Sequence, residues 1–214
     1  MLVYRILSHT QNPSPIRCGA PLGQADIKPL VHEIERRKVA DLLIDFSGID
    51  AINGSYSRAI LGWLIRCATA RRSGLRLRRR LDDPWAVRPL PIERIFVHNL
   101  APDVREEIDG LLCQPGIRLP CLEAVTIGSD RVSQARLLGH LDRQLRECLA
   151  RLYAIGGEGT TLDLHARYSG DEVKITAWNN RLAALYDRLL VDRRKDGRTW
   201  IYTTVTQHLK SYGI

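Results

Sequence analysis

The chain has 214 residues, which at roughly 100–200 residues per domain allows one or two domains. Its 44% hydrophobic and 26% charged residues exclude an intrinsically disordered chain. Lys and Arg total 32 against 24 Asp and Glu, a net charge of +8 that suits acidic polymers such as nucleic acid. The basic residues are 27 Arg and 5 Lys, a bias that phosphate recognition and a GC-rich genome both produce.

The first part of the chain alternates strand-like and helix-like segments. Leu2–Leu7 reads as a strand, and a loop rich in Pro and Gly follows through Gly23. From Asp26, Ile27, Leu30, Val31 and Ile34 recur at helical spacing. Leu42–Phe46 is a short apolar run, a buried strand closed by the Ser47–Gly48 turn. Ile60, Trp63, Leu64 and Cys67 share the face of a second helix. Leu75–Arg80 alternates Leu and Arg as a half-exposed strand does, and Ile92–Val97 is another strand. Val104, Ile108, Leu111 and Leu112 give a third helix, and Leu119–Val125 a last strand that Pro120 confines to an edge. This alternation predicts an α/β domain over 1–126, a sheet covered by helices.

The rhythm then changes. Val132–Ala154 reads as one long amphipathic helix with Leu138, Leu141, Leu145, Cys148, Leu149 and Leu152 on its stripe. That stripe suits pairing with a second copy in a homodimer and burial inside the monomer equally. Gly156, Gly157 and Gly159 end the helix. Thr160 or Thr161 caps a short helix containing Leu162, Leu164 and Tyr168. Thr176 is a good N-cap for a third helix with Trp178, Leu182, Leu185, Tyr186 and Leu189 inward. Two alternating stretches then flank Asp196–Gly197, a hairpin signal.

Several classes drop out. The opening apolar stretch is too short and interrupted for a signal peptide. No run approaches the ~18 apolar residues of a membrane span. The five cysteines are widely spaced without a Cys-x-x-Cys pair, which predicts reduced thiols in the cytoplasm. The six His are scattered, so no metal site is expected. There is no Gly-x-Ser-x-Gly elbow, Walker loop or His-Glu-x-x-His motif, and the expectation is a non-enzyme without cofactor or catalytic residues.

Three helices and a hairpin, with the segment Thr176–Val205, resemble bacterial winged helix-turn-helix transcription regulators. The matching parts are the Thr cap, Trp178, Leu182 and Leu185, then Leu189–Val191 leading into a basic wing with an Asp-Gly-Arg tip and Trp-x-Tyr. The resemblance covers about 70 residues and implies a mainly α winged helix domain over 127–214 that binds double-stranded DNA. One departure is the Ser169–Lys174 turn, longer than usual. With the apolar residues inward, Thr176, Ala177, Asn179, Asn180 and Arg181 face outward at the helix start, where major-groove readers insert. Asn pairs with adenine and Arg with guanine through two bonds each. Arg188 meets the backbone at most, and Arg193, Arg194, Lys195 and Arg198 on the wing track phosphates. Solvated side chains at these positions are the plain alternative.

The stretch Leu43–Leu61 resembles the STAS fold, the sulfate-transporter and anti-sigma-antagonist domain, in its divergent STAS-like branch. Asp45, Gly48, Ile49 and Ile52 fit the pattern of a strand ending in an acidic residue, a Gly turn and a serine-bearing loop that opens a helix. His98–Asn99 and the helix after it fit too. The resemblance implies a mixed sheet with helices that senses a signal or binds a protein partner, and a regulatory phosphate on the loop serine. Here Asn53 replaces the acidic loop residue and Gly54 the usual serine, while Ser55 follows one position later. Ser55 suits an N-cap or a phosphate acceptor, and Asp45 a regulatory role or simple closure of the turn. Seven arginines between Arg66 and Arg80 suit a solvated face, an edge strand, or contact with DNA or an acidic partner.

Together these readings predict a cytoplasmic transcription regulator with a STAS-like sensing half, a DNA-binding half and a junction near Thr126–Ser133. The alternative is a partner-switching STAS adaptor regulated by phosphorylation, whose winged helix contacts protein. Each half carries +4, so net charge does not single out the DNA-binding half.

Overall fold

A computed structural model describes residues 1–10, 13–74, 85–114, 120–127, 132–168, 170 and 173–205. In chain order the elements are β1 (Leu2–Arg5), a 3-10 turn (Ile6–His9), β2 (Ile16–Arg17), α1 (Ala20–Arg37), β3 (Asp41–Asp45), β4 (Ala51–Ile52), α2 (Gly54–Ser57), a π turn (Arg58–Gly62), α3 (Trp63–Arg72), β5 (Arg94–His98), α4 (Pro102–Cys113), β6 (Cys121–Ile127) and β7 (Val132–Leu138). After these come α5 (Arg143–Ala154), β8 (Glu158–Thr160), α6 (Thr161–Arg167), α7 (Ile175–Asp187), β9 (Val191–Asp196) and β10 (Thr199–Thr204). The chain is mixed α/β. Among the described residues no helix is long and apolar enough to cross a membrane.

Side-chain alternation explains how the main sheet is covered. The strand order is β1-β3-β5-β6-β7, the first four parallel and β7 antiparallel to β6. Tyr4, Leu42, Ile44, Ile95 and Val97 point to one face and pack with α1, α3 and α4. Leu43, Phe96, Leu122 and Ala124 point to the other and share a cluster with Cys148, Leu149, Trp178 and Leu182 of α5 and α7. A parallel sheet covered on both faces needs apolar side chains at successive positions. That is why the Leu42–Phe46 run lacks a polar face until Asp45.

Four expectations are corrected. Val132–Leu138 is a strand, so the long helix shrinks to Arg143–Ala154, capped by the Asp142 side chain on Leu145 N at 3.0 Å. Register shifts between β6 and β7 bring Val132 and Ala135 to one covered face, while Leu138 is buried on the other, so a strand covered on both faces shows a three-residue spacing that imitates a helix. The remaining stripe, Leu145, Cys148, Leu149 and Leu152, is buried within the monomer and offers no face to a second copy. The main sheet therefore takes strands from both sides of the expected junction, Cys121–Ile127 before it and Val132–Leu138 after it. The strand Cys121–Ile127 lies between β5 and β7, not at an edge, because Pro120 precedes it. α1 begins at Ala20, not at Asp26. Pro21 sits in the first turn, where its missing N–H costs nothing. A Cβ on Gly23 would stand 3.0 Å from Ala59 Cβ, so glycine there permits close helix packing. The Leu75–Arg80 strand lies outside the described residues.

The second part of the chain runs helix, strand, helix, helix, strand, strand. β8, which sequence alone did not suggest, pairs with β10, making the hairpin a three-stranded sheet in the order β8-β10-β9. Of the two caps anticipated, Thr160 and Thr161, Thr160 caps α6, in a capping box with Asp163. Gly197 takes a φ of 56° at the hairpin turn, where glycine is unstrained.

Arg72 ties the two parts together. It is the last residue of α3, and its side chain is 4% exposed. Nη1 donates to the carbonyls of Tyr186, at 2.6 Å, and Val191, at 2.7 Å. Nη2 donates to the Glu93 carbonyl and to Asp192 Oδ1, the latter at 3.0 Å. The guanidinium also lies 4.4 Å from the Tyr186 ring centre. Burial pulls its pKa below the ordinary arginine value, while Asp192 opposes that pull. Arg94 supports the junction by binding Asp41 and, at 2.5 Å, Asp192. Replacing Arg72 by Met removes its bonds to three carbonyls and to Asp192; the Tyr186 carbonyl keeps Leu189 N at 3.1 Å, and each group left unpaired in a buried site costs roughly 1–3 kcal/mol. Arg72→Met is expected to lower unfolding free energy by about 3 kcal/mol in urea titrations, and its half-exposed neighbour Arg71→Met by under about 0.5 kcal/mol. Equal losses in the two variants would contradict this assignment.

Candidate nucleic-acid interface

Helix α7 buries Trp178, Leu182 and Leu185 against α5 and α6, which leaves the opposite side outward. Its N-cap is Lys174, without a side-chain cap bond, so Thr176 is inside the first turn and exposed. Thr176 corrects the expected cap but keeps its outward place. Asn179 and Asn180 are exposed, and Ala177 is half-buried. Thr176 and Asn180 are four residues apart and therefore neighbours on one face.

Arg181 stands elsewhere. Two residues of helix separate it from Asn179 by about 160° around the axis. Its guanidinium lies 5.3 Å from the Trp178 ring centre, on the flank towards α5. There its charge, with that of Arg151, opposes the burial that lifts the Cys148 thiol to about 12. Arg188 turns back on its own helix and donates to the Ala184 carbonyl at 3.0 Å. The outward group therefore consists of Thr176, Asn179 and Asn180, while the two arginines lie flat against the protein.

The wing divides similarly. Arg193 is half-buried between two rings, 4.0 Å from the centre of Tyr186 and 4.5 Å from that of Trp200. Arg194, Lys195 and Arg198 are exposed. Arg194 pairs with Glu158 of β8 at 3.1 Å, and Lys195 Nζ sits 5.9 Å from the Trp200 ring. Tyr202 is buried, whereas Trp200 remains 37% exposed. Of the Arg66–Arg80 run, Arg66 folds onto the Gly62 carbonyl, Arg71 faces Glu93 and Arg72 is the buried tie. Arg76, Arg78, Arg79 and Arg80 lie outside the described residues.

At the opposite ends of the parallel strands, Asp45 closes a polar network. Its Oδ1 accepts from Ser47 N at 2.9 Å, Ser47 Oγ at 2.6 Å and Asn99 Nδ2 at 2.9 Å, and Oδ2 accepts from Arg5 at 3.1 Å. Burial opposes ionisation of Asp45, but the bonds from Ser47, Asn99 and Arg5 outweigh it and hold the carboxyl below its ordinary value. Asn53, not Ser55, caps the following helix; its Oδ1 accepts from Tyr56 N and Gly19 N, each at 3.0 Å. Ser55 is exposed in the first turn. Glu107 Oε1 would lie 2.9 Å from a Cβ placed on the adjacent Gly54, so a carboxylate borders this loop. Asn53, at the position where the STAS resemblance leads one to expect an acidic residue, therefore serves as the helix cap, a role its residue type signals.

No family model, curated protein or solved structure matches this chain.

The Asp45 network makes a signed pH prediction. Because the folded-state pKa is depressed, the stabilisation is complete above the unfolded value of about 3.9 and fades as pH falls through the folded value. Wild type minus Asp45→Asn stability should therefore shrink steadily below about pH 4 in urea titrations. A difference that stays constant to about pH 2 would remove the network from the acid limb.

Proposed function

We propose that this protein is a sequence-specific DNA-binding transcription regulator. The observation that carries the reading is the outward face of α7, Thr176, Asn179 and Asn180, beside a basic hairpin. The helix–strand–helix–helix–strand–strand order supports it, since winged helix-turn-helix domains place their third helix in the major groove and their hairpin alongside. Asn179 and Asn180 read adenine edges, and Thr176 meets a base edge or phosphate at the helix start. Arg194, Lys195 and Arg198 meet phosphates from the wing, joined by the exposed Lys174. Arg181, Arg188 and Arg193 reach DNA only by leaving the rings or carbonyl they now contact. The STAS-like half would carry the sensing or protein-binding role, in a cytoplasmic protein that needs no cofactor.

The division between reading and positioning residues makes distinct predictions in electrophoretic mobility shifts with a duplex from the protein's own promoter. Asn180→Ala should weaken binding to the preferred duplex by about tenfold, the loss of a bidentate base contact, with little change on random sequence. Lys195→Ala plus Arg198→Ala should weaken both duplexes alike and flatten the log–log salt slope by about 2. Absence of any shift at low salt would overturn the reading.

A further inference from the structure

We infer that the crevice between α3, β5 and the α7–β9 junction is a binding site for a small polyanion bearing carboxylate or phosphate groups. A cavity of about 300 Å³ opens there, lined by Arg71, Arg72, Arg94 and Arg193, with Glu93, Tyr186 and Asp192. That volume is near the lower end for small-molecule sites. Four guanidinium groups against two carboxylates leave the lining positive.

The four arginines divide into two bound closely by half-buried carboxylates and two, Arg71 and Arg193, that are not. Arg72 is spent on three carbonyls and Asp192. Arg94 is spent on Asp41 and Asp192. They neutralise Asp192 and make the floor rigid. Arg71 meets only Glu93 among the described residues, at 3.6 Å, with both side chains more than 40% exposed. A pair that long and that open is weak and easily exchanged. Arg193 has rings of Tyr186 and Trp200 against it and a hydrogen bond to the Tyr202 hydroxyl, which fix the guanidinium without supplying a carboxylate. A planar fork held this way is preorganised for an oxyanion. An anion spanning Arg71 and Arg193 displaces the loose Glu93 contact and gains two charge-assisted hydrogen-bonding partners. Because Arg71 ends α3 while Arg193 belongs to the wing, such a ligand would bridge the two parts beside the Arg72 tie. The site is independent of the DNA-binding reading, and either can fail alone.

The test uses the full chain with citrate and pyrophosphate as probes, and potassium chloride at matched ionic strength as control. Thermal midpoint and tryptophan fluorescence are followed, since Trp200 adjoins Arg193. A saturable response to either probe is expected, with the responding probe distinguishing carboxylate from phosphate. Arg71→Glu, a surface change that leaves the Arg193 stack intact, should weaken it by about tenfold or more. Arg193→Gln should do the same, and its ligand-free melt reports whether the wing still folds. No saturable response to either probe up to about 10 mM, or an unchanged response in Arg71→Glu, would overturn the site.

Discussion

The α7–β9 junction of this molecule is oriented by where Arg72 puts its guanidinium. A single buried side chain satisfies carbonyls from a helix end, a strand start and a loop that are far apart in sequence. Lysine offers one nitrogen to four acceptors in different directions, whereas the planar fork meets them in fixed geometry. The cost of burying the charge is offset by Asp192, which Arg94 also holds. The main sheet reaches the same junction from below, since its second face packs on α5 and α7. The helix–wing unit is thus seated on the sheet by apolar contact and oriented by a polar clamp.

This seating changes which basic residues are available. Composition and spacing make Arg181, Arg188 and Arg193 look like members of one outward surface. Each instead finds an aromatic ring or a carbonyl nearby, and an arginine whose apolar stem is covered gains packing as well as a contact. The face left outward on α7 is small and uncharged, and exposed charge sits on the wing and at Lys174. Under the proposed DNA-binding reading, neutral amides would meet base edges and these cations phosphates, the separation of sequence reading from positioning found in specific DNA interfaces. Withdrawal of Arg193 from the outer surface also creates the crevice that invites a small anion.

Much of the fold was legible where the signal is local. The Asp196–Gly197 hairpin, a threonine cap on α6 and the Trp178, Leu182 and Leu185 stripe of α7 follow from short-range chemistry and stand in the structure. The misreadings share a cause in tertiary context. Leu138 ends a strand covered on both faces and falls three residues before Leu141, so spacing alone reads it as one more turn of the α5 stripe. Pro21 and Gly23 look like loop residues until α1 is seen to start on one and pack closely through the other. β8 is three residues long and contains a glycine, so nothing local marks it as a strand before β10 pairs with it. Arg72 lies inside a run of arginines, and no sequence property sets it apart from its exposed neighbour Arg71.

The central claim is that the sheet and the helix–wing unit form one cooperative body clamped by Arg72. Native-state hydrogen exchange along a urea series tests it most directly, because it reports the opening free energy of each segment separately. In wild type, amides of α3 and of β9 should merge into one unfolding isotherm, and in Arg72→Lys the β9 and α7 amides should open at lower urea than those of α3. Separate isotherms in the wild type, or an unchanged order in the variant, would contradict it.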